Sequence, residues 1–199
     1  AKSWGEPTKK IHDDGFFEFA TKTHKDFFNY QLLITLPDDH TYTIEDPYRF
    51  APVLSEDDLF LFNEGNHFKL YEKFGAQLIT HEGIAGVSFA LWAPNAERVS
   101  LIGDFNNWDG RRHPLRPRGA SGVWEIFIPQ LRAGDLYKYE IKTRYQGYVA
   151  SKADPFGFGS EMRPNTSSMI CDVNHFDWHD DQWMRTRQVK QSLNSPISV

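Results

Sequence analysis

The sequence is short of several things, and each shortage excludes something. Its 199 residues include one cysteine, Cys171. No internal disulfide can form, and Cys171 reads as a small strand residue in a reducing compartment. No stretch approaches the roughly 18 apolar residues that a spanning helix needs, and Ala1-Lys2-Ser3-Trp4-Gly5 is not an apolar signal region. The expectation is a cytoplasmic chain, with neither membrane insertion nor secretion. Blocks of Lys and Arg are missing too: 22 basic residues face 27 acidic ones, for a net charge of −5. That balance argues against nucleic acid as a partner, and the one local basic patch, Arg111-Arg112 with Arg116-Pro117-Arg118, reads as a solvated loop. There is no Gly-rich phosphate loop, nucleophile elbow or paired-cysteine site. The length also falls short of the about 250 residues of a (β/α)₈ barrel. Aromatics, by contrast, abound, with 16 Phe, 8 Tyr and 6 Trp.

The dominant pattern along the chain has period two between turn signals, the mark of half-buried strands. In Tyr137-Lys138-Tyr139-Glu140-Ile141-Lys142, the residues Tyr137, Tyr139 and Ile141 share one face while Lys138, Glu140 and Lys142 share the other. Tyr30 to Leu36, Gly86 to Trp92, Val99 to Gly103 and Val123 to Ile128 read likewise, bounded by turns such as Pro94-Asn95, Asp109-Gly110 and Ser121-Gly122. Trp92 and Trp124 sit inside these strands and are expected in the core. Strands of this length and spacing predict an all-β protein built as an immunoglobulin-like β-sandwich with short helical connectors. The connectors are Ser55-Glu56-Asp57-Asp58, a capping box with Asp for Glu, and His67 to Phe74, a helical turn stopped by Gly75. A last helix, capped by Asp180, runs through Trp183 to about Gln191.

An internal repeat organises the strands. Gly15-Phe16-Phe17-Glu18-Phe19 matches Gly122-Val123-Trp124-Glu125-Ile126, and Asp46-Pro47-Tyr48-Arg49-Phe50 matches Asp154-Pro155-Phe156-Gly157-Phe158, at offsets of 107 and 108. A strand lies between the paired motifs in each copy, and the period suits one sandwich of about 100 residues. The second copy begins near Gln77, which would start the first roughly 30 residues before Ala1. The expected organisation is a truncated sandwich over 1–54, a helical connector over 55–76, a complete sandwich over 77–176 and a linker over 177–199.

Four segments together carry a family resemblance: Asp46-Pro47-Tyr48-Arg49-Phe50, Leu70-Tyr71-Glu72-Lys73-Phe74-Gly75-Ala76, Phe89-Ala90-Leu91-Trp92-Ala93-Pro94-Asn95-Ala96 and Gly103-Asp104-Phe105-Asn106-Asn107-Trp108-Asp109-Gly110. With Ser121 to Glu125, Tyr137 to Glu140 and Lys152 to Pro155 following in register, they resemble the N-terminal region of bacterial 1,4-α-glucan (glycogen) branching enzymes. The resemblance runs from about Ile44 to Val199. It implies that the second copy is similar to a carbohydrate-binding module of family 48 and the first to an extra N-terminal sandwich. It further implies that a catalytic barrel of glycoside hydrolase family 13 would follow Asn194 to Val199.

Such barrels use two carboxyl groups roughly 5–5.5 Å apart, so the chain alone would be noncatalytic. Asp172-Val173-Asn174-His175 is superficially like a barrel motif, but it lies at the end of the sandwich. Asp177, His179, Asp180 and Asp181 have metal-ligand chemistry but read as an acidic linker. No metal and no cofactor are expected, and the sequon Asn165-Thr166-Ser167 reads as silent. A glucan presents apolar C–H faces ringed by hydroxyls, so its site needs a flat aromatic surface with spaced donors and acceptors. By resemblance those residues are Trp108, Lys138 and Tyr148, binding glycogen or a starch-like α-glucan. Trp108 is equally compatible with a buried corner, and Lys138 with a solvated strand position. Trp4, Trp178 and Trp183 flank the copies and would contact the catalytic barrel. A stand-alone glycogen-binding or adaptor module, like that of a kinase regulatory subunit, is the alternative.

Overall fold

The computed structural model describes residues 5–22, 28–174 and 176–196. The chain divides between Arg49 and Phe50 into two compact units. The first consists of two antiparallel hairpins. In one, β1 (Lys9–His12) pairs with β2 (Phe16–Glu18), and Gly15 supplies the left-handed turn residue at φ 88°. In the other, β3 (Leu32–Thr35) pairs with β4 (Thr41–Ile44), from Leu32 opposite Ile44 to Thr35 opposite Thr41. At its base the Tyr30 hydroxyl donates to Asp46 Oδ2, and Asp46 Oδ1 accepts the Tyr48 N–H at 2.9 Å.

The second unit is an immunoglobulin-like β-sandwich, the expected class. One sheet runs in the order β5 (Gly75–His81), β6 (Ile84–Trp92), β9 (Val123–Pro129) and β8 (Arg116–Pro117). The other is centred on β10 (Leu136–Thr143), with β7 (Ala96–Gly103) along one edge. Along its other edge lie β11 (Val149–Lys152) and then β13 (Ser168–Met169), which in turn carries β12 (Gly159–Ser160). The predicted alternation holds: Tyr137 and Tyr139 are fully buried while Lys138, Glu140 and Lys142 face outward. Between the sheets, Val87, Phe89 and Leu91 of β6 meet Val99, Leu101, Tyr137 and Tyr139, and Phe89 lies edge-on to Tyr137 with centroids 5.0 Å apart. Each such side chain contributes about 1.5–3 kcal/mol on burial.

Asp154 closes one corner of the sandwich. It accepts from the Tyr137 hydroxyl at 2.7 Å, the Tyr139 hydroxyl at 3.3 Å and the Phe156 N–H at 2.8 Å. Burial pushes its carboxyl up from the usual carboxylate range, against the lowering effect of those bonds. The Tyr30–Asp46–Tyr48 arrangement of the first unit is the same corner at the offset of the sequence repeat: a tyrosine hydroxyl on Oδ2 and the N–H two residues on at Oδ1. The repeat therefore has a local physical basis. An Asp-Pro pair turns the chain, and a tyrosine 16 or 17 positions earlier fixes the turn.

β6 and β9 are buried on both faces, and here the structure departs from the simple alternation. A segment from Phe50 to Phe74 folds over the outer face of their sheet, including α1 (Glu56–Asn63) and a 3₁₀ turn over Leu70–Glu72. Its Leu54, Leu59 and Phe74 form a second core with Ala90 and Val123, and Phe50 packs edge-on to Phe127 at 4.7 Å. The basic residues expected in a solvated loop fasten this cover. Arg118 donates to Glu125 at 2.7 Å and to the Leu54 carbonyl at 2.6 Å, and Arg116 donates to the Phe50 carbonyl at 2.9 Å. A buried carboxylate on β9 needs a cation, and Arg118 supplies it; Arg111, paired with Asp109, does stay in solvent. Of the two tryptophans expected inside, Trp124 is buried and donates to the Ala93 carbonyl at 3.0 Å, but Trp92 is 54% exposed. With Val87, Phe89 and Leu91 pointing inward, the pleat sends Trp92 to the outer face, where it meets Phe62 edge-on.

After β13 the chain reaches α2 (Asp181–Lys190), which buries no side chain. Asp180 stands at its N-cap but makes no side-chain cap hydrogen bond. Among the described residues no helix is long and apolar enough to cross a membrane.

Candidate functional site

The loop Gly103 to Trp108 follows β7, and nearly every residue in it has a visible task. Gly103 is extended, and a side chain there would run into the Leu136 carbonyl and the Phe105 ring. Asn106, 1% exposed, staples the loop: its Oδ1 accepts the Gly103 N–H at 3.0 Å, and its Nδ2 donates to the Leu101 carbonyl at 2.9 Å and to His113 Nδ1 at 2.8 Å. His113 therefore presents a lone pair to Asn106, and burial, with Arg112 adding to it, pushes its ring below the usual histidine value. Both influences favour a neutral imidazole.

Asn107 and Trp108 follow with φ 57° each, a left-handed pair that is strained for a bulky side chain. Asp104 fixes the indole by accepting from Nε1 at 2.8 Å, and the Trp108 N–H donates to the Gly103 carbonyl at 2.9 Å. The result is a tryptophan held by its polar edge with 37% of its surface exposed. It stands in a raised loop at the edge of the sandwich and is no buried corner. The loop then crosses the polar face of β10. Gly110 sits so close to Glu140 that any side chain at 110 would strike its carboxyl group, and Glu140 is itself paired with Arg98 at 2.6 Å.

Lys138 lies opposite Ile102, one residue from the point where this loop departs. Its ammonium donates to Thr166 Oγ1, in the middle of the sequon, at 2.9 Å. Glu161 lies close by; bonds from Ser167 first, then Asn165, with Lys138 adding its charge, hold its carboxyl below the usual range. Trp108 and Lys138 thus share one end of the sheet. Tyr148, 66% exposed, does not join them there. It follows the turn at Gln146 and Gly147, with its carbonyl on the Thr143 N–H at 2.9 Å, five residues along β10 from Lys138. At 3.3 Å per residue that is roughly 16 Å. Tyr145, also exposed, stands in the same turn.

Phe176, Trp178 and Trp183 are exposed around α2, Phe176 lying edge-on to Trp178 at 4.7 Å and Arg187 over the Trp183 ring at 5.7 Å. Trp4 and His175 lie outside the described residues. Among the described residues no three His, Cys, Asp or Glu side chains converge as a metal group would require. What the arrangement offers is stacking and hydrogen bonding: one fixed indole face, one ammonium and a ring of hydroxyl and carboxylate neighbours.

Residues 73–157 match carbohydrate-binding module 48, described as the isoamylase N-terminal domain, and residues 2–48 match the N-terminal domain of the alpha-1,4-glucan branching enzyme GlgB. The 1,4-alpha-glucan branching enzyme of Synechocystis sp. is 48% identical over 190 residues, covering 95% of this chain and 24% of that protein. That of Methylococcus capsulatus is 45% identical over 197 residues, covering 99% and 27%. The chain therefore spans about a quarter of the length of the curated relatives it matches. A Klebsiella pneumoniae pullulanase solved with maltotriose aligns with 51% of this chain and 10% of its own, at 26% identity and a TM-score of 0.42. The match to the branching-enzyme N-terminal domain thus precedes the match to the carbohydrate-binding module along the chain.

Proposed function

We propose that this chain is the noncatalytic N-terminal part of a 1,4-α-glucan branching enzyme of glycogen synthesis, and that its second unit holds α-glucan through Trp108 and Lys138. On this reading the whole enzyme cleaves an α-1,4 link and rejoins the freed segment through an α-1,6 link. The bond chemistry belongs to a barrel outside these 199 residues, against which the chain packs, and the protein works in the cytoplasm.

The observation that carries the binding role is the fixed, half-exposed indole of Trp108. A left-handed backbone costs about 1–3 kcal/mol at such a residue, and strain of that kind gathers at ligand-binding positions. The Asp104 bond settles the ring plane before any sugar arrives, so little side-chain entropy remains to be lost. A flat ring offers the C–H face of a glucosyl unit a surface, while Lys138 and Thr166 reach its hydroxyls. Tyr148 extends the same outward side and would meet a longer chain further along.

Native electrophoresis through gels with and without glycogen tests the reading. Unmutated protein should be retarded by glycogen. Trp108→Ala should bind at least about tenfold more weakly, since truncating a central aromatic anchor costs about 2 kcal/mol or more. If glycogen leaves the mobility of the unmutated protein unchanged, the binding claim is wrong.

A further inference from the structure

A groove lies on the other side of the same unit, between α1 and the turn that joins β8 to β9. It encloses about 380 Å³, near the small end of the roughly 300–1,000 Å³ typical of small-molecule sites. One wall is the ring of Phe60, strongly exposed on α1, and one rim is Asn63. The opposite wall is Gly119 and Ala120, whose N–H groups make no hydrogen bond among the described residues, whereas the flanking Arg118 and Ser121 N–H groups are both engaged. The Asn63 amide likewise has no partner among the described residues. Arg118 and Glu56 complete the lining and bind each other at 2.7 Å.

This lining selects a class of ligand. An anion is disfavoured, because the Arg118 guanidinium is already taken by Glu125 and Glu56, and the Glu56 carboxylate stays almost wholly in solvent. A purely apolar ligand would leave the Asn63 amide and two backbone N–H groups without partners. What fits is a neutral polyhydroxylic molecule with an apolar face, which lays that face on Phe60 and gives its hydroxyls to Asn63, Glu56 and the two N–H groups.

We infer that this groove is a second saccharide site, taking a short stretch of an α-1,4-glucan independently of Trp108. The identity of the sugar rests on the functional reading above; the groove's preference for a neutral polyol does not. The two sites sit on different sheets, so one glucan chain or two neighbouring chains could be held at both.

Maltotriose titrated into the ¹⁵N-labelled chain, followed by amide and indole resonances, tests this. Gly119, Ala120 and the Asn63 side-chain amide should shift along a saturating curve. In Phe60→Ala those shifts should fall at least fivefold at equal sugar, while the Trp108 indole still responds and the remaining spectrum shows the fold intact. In Trp108→Ala the groove should respond unchanged. Three outcomes overturn the inference: shifts at the Trp108 indole alone, groove shifts that Phe60→Ala leaves intact, or groove shifts with inorganic phosphate but none with maltotriose. The first of these leaves the functional reading standing; groove shifts without any Trp108 response would remove the Trp108 site and keep the groove.

Discussion

Asn106 serves three groups at once, so its loss should be felt beyond its own size. Asn106→Ala leaves the Gly103 N–H and the Leu101 carbonyl without their partner, at about 1–3 kcal/mol each for buried groups. The expected outcome is stability, read from urea unfolding, lowered by about 2–6 kcal/mol, and weakened glycogen retention although Trp108 is untouched. Arg118 gives a second test. The side chains of Arg118 and Glu125 are 9% and 3% exposed, and removing one partner of a buried pair strands the other charge. Arg118→Met should destabilise by about 3–5 kcal/mol in the same assay. Arg118→Met with Glu125→Gln should recover part of that, because no buried charge is left. Neither role could be read from composition. The Gly-Asp-Phe-Asn-Asn-Trp string marked a special loop, but only the fold shows that its Asn106 is a staple and Asp104 an indole anchor. Lys138 was legible as an outward residue from alternation alone; its Thr166 partner, 28 positions away, was not.

Elements were most legible where period two met clear turns. β10 and β9 fall within a residue or so of the sequence reading, whereas the short β8, β12 and β13 carry no periodic signal. β6 and β9 obey alternation on the inner face and violate it on the outer one, because a cover hides residues such as Ser88 and Glu125 that a half-buried strand would expose. α1 was foreshadowed by its capping box, and that box gives a pH prediction. Burial alone would raise the Asp58 carboxyl, but bonds from His67, then Ser55 and Lys73, hold it well below the usual carboxylate range. A depressed native value means that the unfolded chain binds the proton first. The stability from Asp58 is therefore present above the unfolded value near 3.9 and lost as pH falls through that value and below. Asp58→Asn should lower stability at pH 7 by about 1 kcal/mol and flatten the loss of stability below about pH 4, as measured by urea unfolding across pH. Asp154, with its value raised by burial, works in the opposite sense: its contribution is present at low pH and fades as pH rises through the native value.

For the whole molecule, the boundary at Arg49 and Phe50 defines what can stand alone. A fragment of residues 50–199 keeps the cover and should unfold cooperatively with the stability of the second unit in the full chain. A fragment beginning at 73, where the carbohydrate-binding module match begins, would bare Ala90, Val123, Phe127 and the Glu125 carboxylate; it should aggregate or bind a hydrophobic dye. Equal thermal stability of the two fragments would contradict the packing described here. The repeat announced two units, but it could not announce that the connector belongs to the second, since the contacts involved lie far apart in sequence. Leu54 meets Glu125 across 71 positions and Arg118 across 64. That separation has a consequence for how the protein is made. The cover leaves the ribosome well before the strands it must seal, so its apolar residues wait in solution until β9 has emerged. Closure of so long a loop is an entropically slow step. The nascent chain therefore passes through an interval with an open sandwich, in which a chaperone would find Phe50 to Phe74 unclaimed.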